Sequence, residues 1–137
     1  MLYAPLIIWI GVIFFFSSGQ GASTRTSLII RPILEYLFPT ASFETIAFYH
    51  GIVRKCAHLV EYAILGILAC RAFSRWTTHF VLVGLGFVLL IASLDEFNQS
   101  FNPQRTSTPW DVALDFAGGV LGVVLFALIT RKKRLSA

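Results

Sequence analysis

Residues 80–99 read FVLVGLGFVLLIASLDEFNQ, an apolar run with no ionisable side chain before Asp95 and with Glu96 and Gln99 at its end. Twenty helical residues at 1.5 Å each reach about 30 Å, the thickness of a bilayer's hydrocarbon core. Working outward, apolar stretches of similar character occur on both sides. Together they predict spans at about 2–18, 54–73, 80–99 and 110–129. The chain therefore reads as an all-α, polytopic membrane protein, an antiparallel four-transmembrane-helix bundle.

Composition supports that class. Of 137 residues, 56% are apolar, 13% are charged and 13 are Phe, and the mean hydropathy is +0.75. Such a chain has too little polar surface to cover a water-soluble globule, and disorder needs the opposite bias. The net charge of +4 does not indicate nucleic acid, because Arg131, Lys132, Lys133 and Arg134 form one terminal run beside a span. The bilayer is the expected partner, and no nucleic acid is. Cys56 and Cys70 fall on one predicted helix about 21 Å apart, beyond disulfide reach.

The fourth span has the clearest start. Thr108 is placed as N-cap, Pro109 as the first helical residue and Asp111 three residues after the cap, as in a capping box. The first stretch also has the length of a signal-peptide core, with GQGAS at 19–23 loosely like a cleavage site, but no Lys or Arg precedes it. Residues 17–53 are neither loop nor span. Within them 28–38 and 43–53 are apolar but interrupted by Arg31, Pro32, Glu35, Pro39 and Glu44, which predicts short interfacial or re-entrant helices between the first two spans.

Arg71 and Arg75 follow the second span and the basic run follows the fourth, so both ends are expected on the cytoplasmic side, with both termini inside. Arg25, Arg31, Arg54, Lys55 and Arg105 count against this orientation and need another explanation.

The up-down threading supplies one. It gathers Lys55, His58, Glu61 and Tyr62 at the start of the second span, Asp95, Glu96 and Gln99 at the end of the third, and Asp111 and Asp115 at the start of the fourth, with Arg105 in the loop between. All lie on one side of the membrane, in a layer about 9 Å deep. With a helix starting at Arg54, the cations stand at an N-terminus and Asp95 and Glu96 near a C-terminus. Each set is then wrongly signed for its own helix and correctly signed for the other. Asp111 is the exception, since a carboxylate belongs at a helix start.

Glu61, Asp95, Glu96, Asp111 and Asp115 offer five carboxyls against Lys55, Arg105 and a charged His58, an acid excess of about two. A protonated carboxyl, a bound cation or a cationic ligand group relieves such an excess. One His among carboxylates is not a metal spacing, so no metal ligands are assigned, and no cofactor is indicated. There is no Ser/His/Asp signature, Gly-rich phosphate loop or CxxC pair.

The run Arg54-Lys55-Cys56-Ala57-His58-Leu59-Val60-Glu61-Tyr62-Ala63-Ile64-Leu65-Gly66 resembles the RKxAHxxEYxxLG motif of VanZ-like membrane proteins. Asp95-Glu96-Phe97-Asn98-Gln99-Ser100-Phe101 with Pro103 and Arg105 resembles that family's DExxQxFxPxR. Asp111-Val112-Ala113-Leu114-Asp115 with Gly118 and Gly122 resembles its DVxxDxxGxxxG, and Phe16-Ser17-Ser18 with Gln20 its first-helix ending. Gln104 departs from the glycine that often precedes the motif arginine. The resemblance implies a single VanZ-like transmembrane domain over 1–137, a four-span bundle in the bacterial cytoplasmic membrane. It also implies a link to teicoplanin resistance, but no known reaction.

Four functional readings stay open. One is an outward-facing polar pocket that binds a lipid-linked or lipoglycopeptide ligand. Another is a membrane enzyme on an envelope lipid head group, with catalytic candidates Lys55, His58, Glu61, Asp95 and Glu96: Glu61 or Asp95 as base, His58 as acid or base, and Lys55 and Arg105 on substrate oxygens. A proton- or cation-linked transporter fits less well, because the carboxylates collect on one side. The plainest is a structural ion network that locks three helices. Gly118 and Gly122 read as a site of close packing within the bundle.

Overall fold

The structure, a computed structural model, describes residues 2–17, 24–101 and 108–135, with 24–27 and 132–135 described by backbone alone. Among the described residues it is all helical: α1 Ala4–Ser17, α2 Thr24–Leu37, α3 Phe43–Phe73, α4 Phe80–Ser100 and α5 Pro109–Leu135. Three helices are long and apolar enough to cross a membrane, namely α3, α4 and α5 over Pro109–Arg131. The apolar α1 has 14 residues, about 21 Å, which is short of a bilayer core by itself.

The second predicted span begins earlier than expected. Residues 43–53 are not a separate surface helix but the first third of α3, which runs unbroken for 31 residues, about 47 Å. Its start is written at Ser42, whose hydroxyl accepts the Thr45 backbone N–H at 3.3 Å, and Glu44 in the first turn suits the positive end of the dipole. Arg54 and Lys55 interrupt hydropathy, but a charged residue does not break a helix. Arg54, Lys55 and His58 therefore stand about three turns or more inside α3, beyond the reach of the terminal dipole, and the wrong-sign argument applies to Asp95 and Glu96 alone.

Residues 28–38 do form most of a separate helix, α2, with Pro32 inside it. α2 lies against the early part of α3. Leu34 and Ile46 are buried, Phe38 stacks on Tyr49 at 5.1 Å, and the Arg31 guanidinium stands 5.0 Å over the Phe43 ring.

The centre of the molecule is α3, which packs against each of the other four helices. Tyr62, Leu65 and Ala69 of α3 form one core with Val88 and Ala92 of α4 and with Leu6 and Ile13 of α1. Against α5 the contact is backbone to backbone. A Cβ on Gly118 would overlap the backbone of Leu59, one on Gly122 the carbonyl of Ala63, and one on Gly66 the carbonyl of Gly119. The GxxxG pair thus serves packing inside the bundle. Outward faces stay apolar, with Leu82, Leu89, Leu90 and Leu94 on α4 and Leu121, Val124, Leu125 and Leu128 on α5 exposed. Cys70 is buried and Cys56 exposed, and both are free thiols.

Candidate functional site

The antiparallel run of α3, α4 and α5 brings the middle of the first beside the end of the second and the start of the third. Asp95, 0% exposed, is at the centre. Its Oδ2 accepts the Tyr62 hydroxyl from α3 at 3.2 Å and the Gln99 amide from the next turn of α4 at 2.9 Å. Its Oδ1 is buried with no hydrogen-bond partner among the described residues. An unsatisfied buried acceptor costs about 1–3 kcal/mol, more when charged, so this oxygen is out of place unless something else meets it.

Asp115, 2% exposed, sits on α5 facing His58 of α3, with Oδ1 3.3 Å from the imidazole Nδ1. Donor atoms of His58, Asp95 and Asp115 all fall within 4.8 Å of one another. Beside them is a void of about 10 Å³ lined by Arg54, Lys55, Glu96 and Asp111 as well as by His58 and Asp115, which is about the room of one water. Lys55 itself is exposed and Arg54 half-buried.

Glu96 and Asp111 join the end of α4 to the start of α5. The Thr108 backbone N–H donates to Glu96 Oε1 at 2.7 Å, and the Thr108 hydroxyl donates to Asp111 Oδ2 at 3.0 Å. The expected capping box is rewired. Asp111 holds the cap's hydroxyl, while the backbone donor that a capping-box carboxylate takes goes to the neighbouring helix.

Glu61 is on the side of α3 that faces α1, where its backbone carbonyl accepts the Trp9 indole N–H at 2.9 Å. Along this side runs an apolar groove of about 580 Å³. Its walls include Trp9, Phe16, Ile30 and Val60, and it reaches His58 and Glu61.

A model of the VanZ/LLP1 family matches residues 2–130. The chain belongs to the VanZ/LLP1 family. Neither the curated proteins nor the solved structures include a match. In this VanZ/LLP1 protein the described polar residues of three motif segments lie on three different helices and meet where those helices pack. Tyr62, Asp95 and Gln99 form one buried hydrogen-bonded group, His58 and Asp115 a neighbouring pair, and Glu96 and Asp111 a third group through Thr108. Glu61 faces the groove, Lys55 lines the small void beside His58 and Asp115, and Arg105 lies outside the described residues.

Sequence reasoning missed Trp9 and the backbone of Thr108 as parts of this region. A tryptophan inside an apolar run and a backbone amide carry no signal of their partners. Thr108 was legible as the residue at the start of α5, but its hydroxyl donates to Asp111, and its amide's turn toward Glu96 depends on how α4 and α5 meet.

Proposed function

We propose that this VanZ/LLP1 protein is a four-pass protein of the bacterial cytoplasmic membrane, with both termini cytoplasmic, whose outward-facing polar cluster binds an amphiphilic ligand and lowers teicoplanin susceptibility. The ligand class is lipid-linked or lipoglycopeptide. The observation that carries the reading is the apolar groove that reaches His58 and Glu61. An acyl or prenyl chain in that groove places its head group beside the polar cluster, where Lys55 and Arg105 are proposed to meet anionic oxygens. The pass count draws support from the burial of Leu6 and Ile13 of α1 in the same core as α3 and α4. Trp76 and Trp110, at opposite ends of the bundle and both exposed, suit the two interfaces of a bilayer.

The test compares teicoplanin and vancomycin susceptibility in a host lacking the protein, expressing either wild type or Glu61→Gln at matched membrane abundance. The expected result is raised teicoplanin tolerance with wild type and loss of that gain with the variant. No change with wild type overturns the resistance reading.

One arrangement favours a second reading, a membrane enzyme acting on an envelope lipid head group. His58 against Asp115 is an imidazole with a carboxylate to orient it, the pairing used in general acid–base catalysis. Release of a modified lipid by the purified protein, lost in His58→Gln, is the expected observation; no turnover across a panel of envelope lipids counts against it.

A further inference from the structure

We infer that His58, Asp95 and Asp115 are the ligands of a divalent transition-metal ion of the zinc class, bound where α3, α4 and α5 meet. His58 is shared with the groove described above, but Asp95 and Asp115 are buried, and the test below reads bound metal, so its outcome is separable from that of the ligand reading.

Three observations converge. Each of the three residues offers one donor atom, and all three donors lie within 4.8 Å of one another, close enough for small side-chain rotations to bring them onto one ion. The His58 Nδ1 to Asp115 Oδ1 separation is 3.3 Å. That is long for a charge-assisted hydrogen bond, which prefers about 2.7–2.9 Å. It equals the spacing of two donors bonded at about 2.0–2.1 Å to one tetrahedral ion, about 3.3 Å. Finally, Asp95 is wholly buried, and both its described hydrogen bonds end on Oδ2. Tyr62 and Gln99 hold that oxygen in place and leave Oδ1 with no partner among the described residues. A buried carboxylate fixed by one oxygen and bare at the other is how outer partners orient a metal ligand.

Charge points the same way. Arg54 and Lys55 around the adjoining void are matched in number by Glu96 and Asp111, so two buried carboxylates facing one imidazole keep a net negative charge even when the imidazole is protonated, and a dication with a neutral imidazole brings the trio to zero. An imidazole with two carboxylates suits zinc better than magnesium or calcium, which take oxygens alone. The void of about 10 Å³ beside His58 and Asp115 has room for a single water in a fourth position.

The test uses the full chain purified in detergent, with any affinity tag removed. It measures zinc by elemental analysis and by competition with a chromophoric chelator, and it records the visible spectrum after cobalt replacement. Wild type is expected to hold one zinc per chain and to give cobalt absorption typical of a four-coordinate nitrogen and oxygen site. Asp95→Asn, Asp115→Asn and His58→Gln are each expected to weaken zinc binding more than about tenfold, and Glu35→Gln on exposed α2 to leave it unchanged. If a carboxylate variant does not fold, His58→Gln and the unfolding temperature of wild type decide. That temperature should rise with zinc and not with magnesium. Substoichiometric zinc in wild type, or affinity unchanged in the folded variants, overturns the assignment.

Discussion

Tyr62 and Gln99 share a single acceptor, Asp95 Oδ2, and this makes their contributions dependent on one another. Removing either donor leaves a buried carboxylate oxygen with half its support. Tyr62→Phe is therefore expected to destabilise the protein by about 1–3 kcal/mol, and Gln99→Leu by a similar amount. The double variant should cost a different amount from the sum of the two, because both act through one oxygen. Denaturant unfolding in detergent measures all three, and strict additivity would show that the two donors act independently. The Asp95 and Gln99 pairing was legible from spacing, since residues four apart on a helix are neighbours. The partnership of Asp95 with Tyr62, 33 positions away, was not. It depends on how far α3 is turned about its own axis, which no local pattern in the sequence fixes.

At the scale of elements, the close approach of α3 and α5 rests on glycines. Gly122→Ala would drive a methyl into the carbonyl of Ala63, and forcing the helices apart is expected to cost about 1–3 kcal/mol. Gly11→Ala and Gly86→Ala meet nothing within 4 Å, so helix propensity alone should leave each neutral or stabilising by up to about 1 kcal/mol. Comparing unfolding midpoints of these variants tests the packing; equal effects at Gly122 and Gly86 would contradict it. Thr108 is the other element-level device, tying the end of α4 to the start of α5 through Glu96 and Asp111. Thr108→Val removes the hydroxyl and keeps the backbone amide. A loss of about 1 kcal/mol is expected on unfolding, the usual net worth of one hydrogen bond, here the one from the Thr108 hydroxyl to Asp111. The spans at 80–99 and 110–129 were legible to within a residue at their starts, because hydropathy and Pro109 mark them. The start of α3 was not, because Arg54 and Lys55 interrupt the hydropathy of the run without interrupting the helix.

Across the whole molecule, the turn after α3 and the start of α5 lie at opposite ends of α4, a helix long and apolar enough to cross a membrane, so the proposed topology puts Trp76 and Trp110 on opposite sides. In a background with Cys56→Ser and Cys70→Ala, Trp110→Cys is expected to react with an impermeant thiol reagent in intact cells. Trp76→Cys should react only after the membrane is opened. The reverse pattern would move the polar cluster to the cytoplasmic face and remove the basis for an outward ligand site. Both positions are more than 75% exposed, so neither substitution disturbs the core.

The sequence alone determined the helical class, the three long apolar elements and which polar residues interrupt them. Those properties follow from hydropathy, from turn residues and from motif order, all of them local. Tertiary structure alone decided which polar residues touch. Asp95 of α4 pairs with Tyr62 of α3, His58 pairs with Asp115, Glu61 turns to the groove, and Oδ1 of Asp95 meets no partner among the described residues. The physical reason is that helix rotation and separation are set by packing. The glycines of α5 and the core side chains of α3 and α4 fix them together, over distances that sequence spacing does not encode.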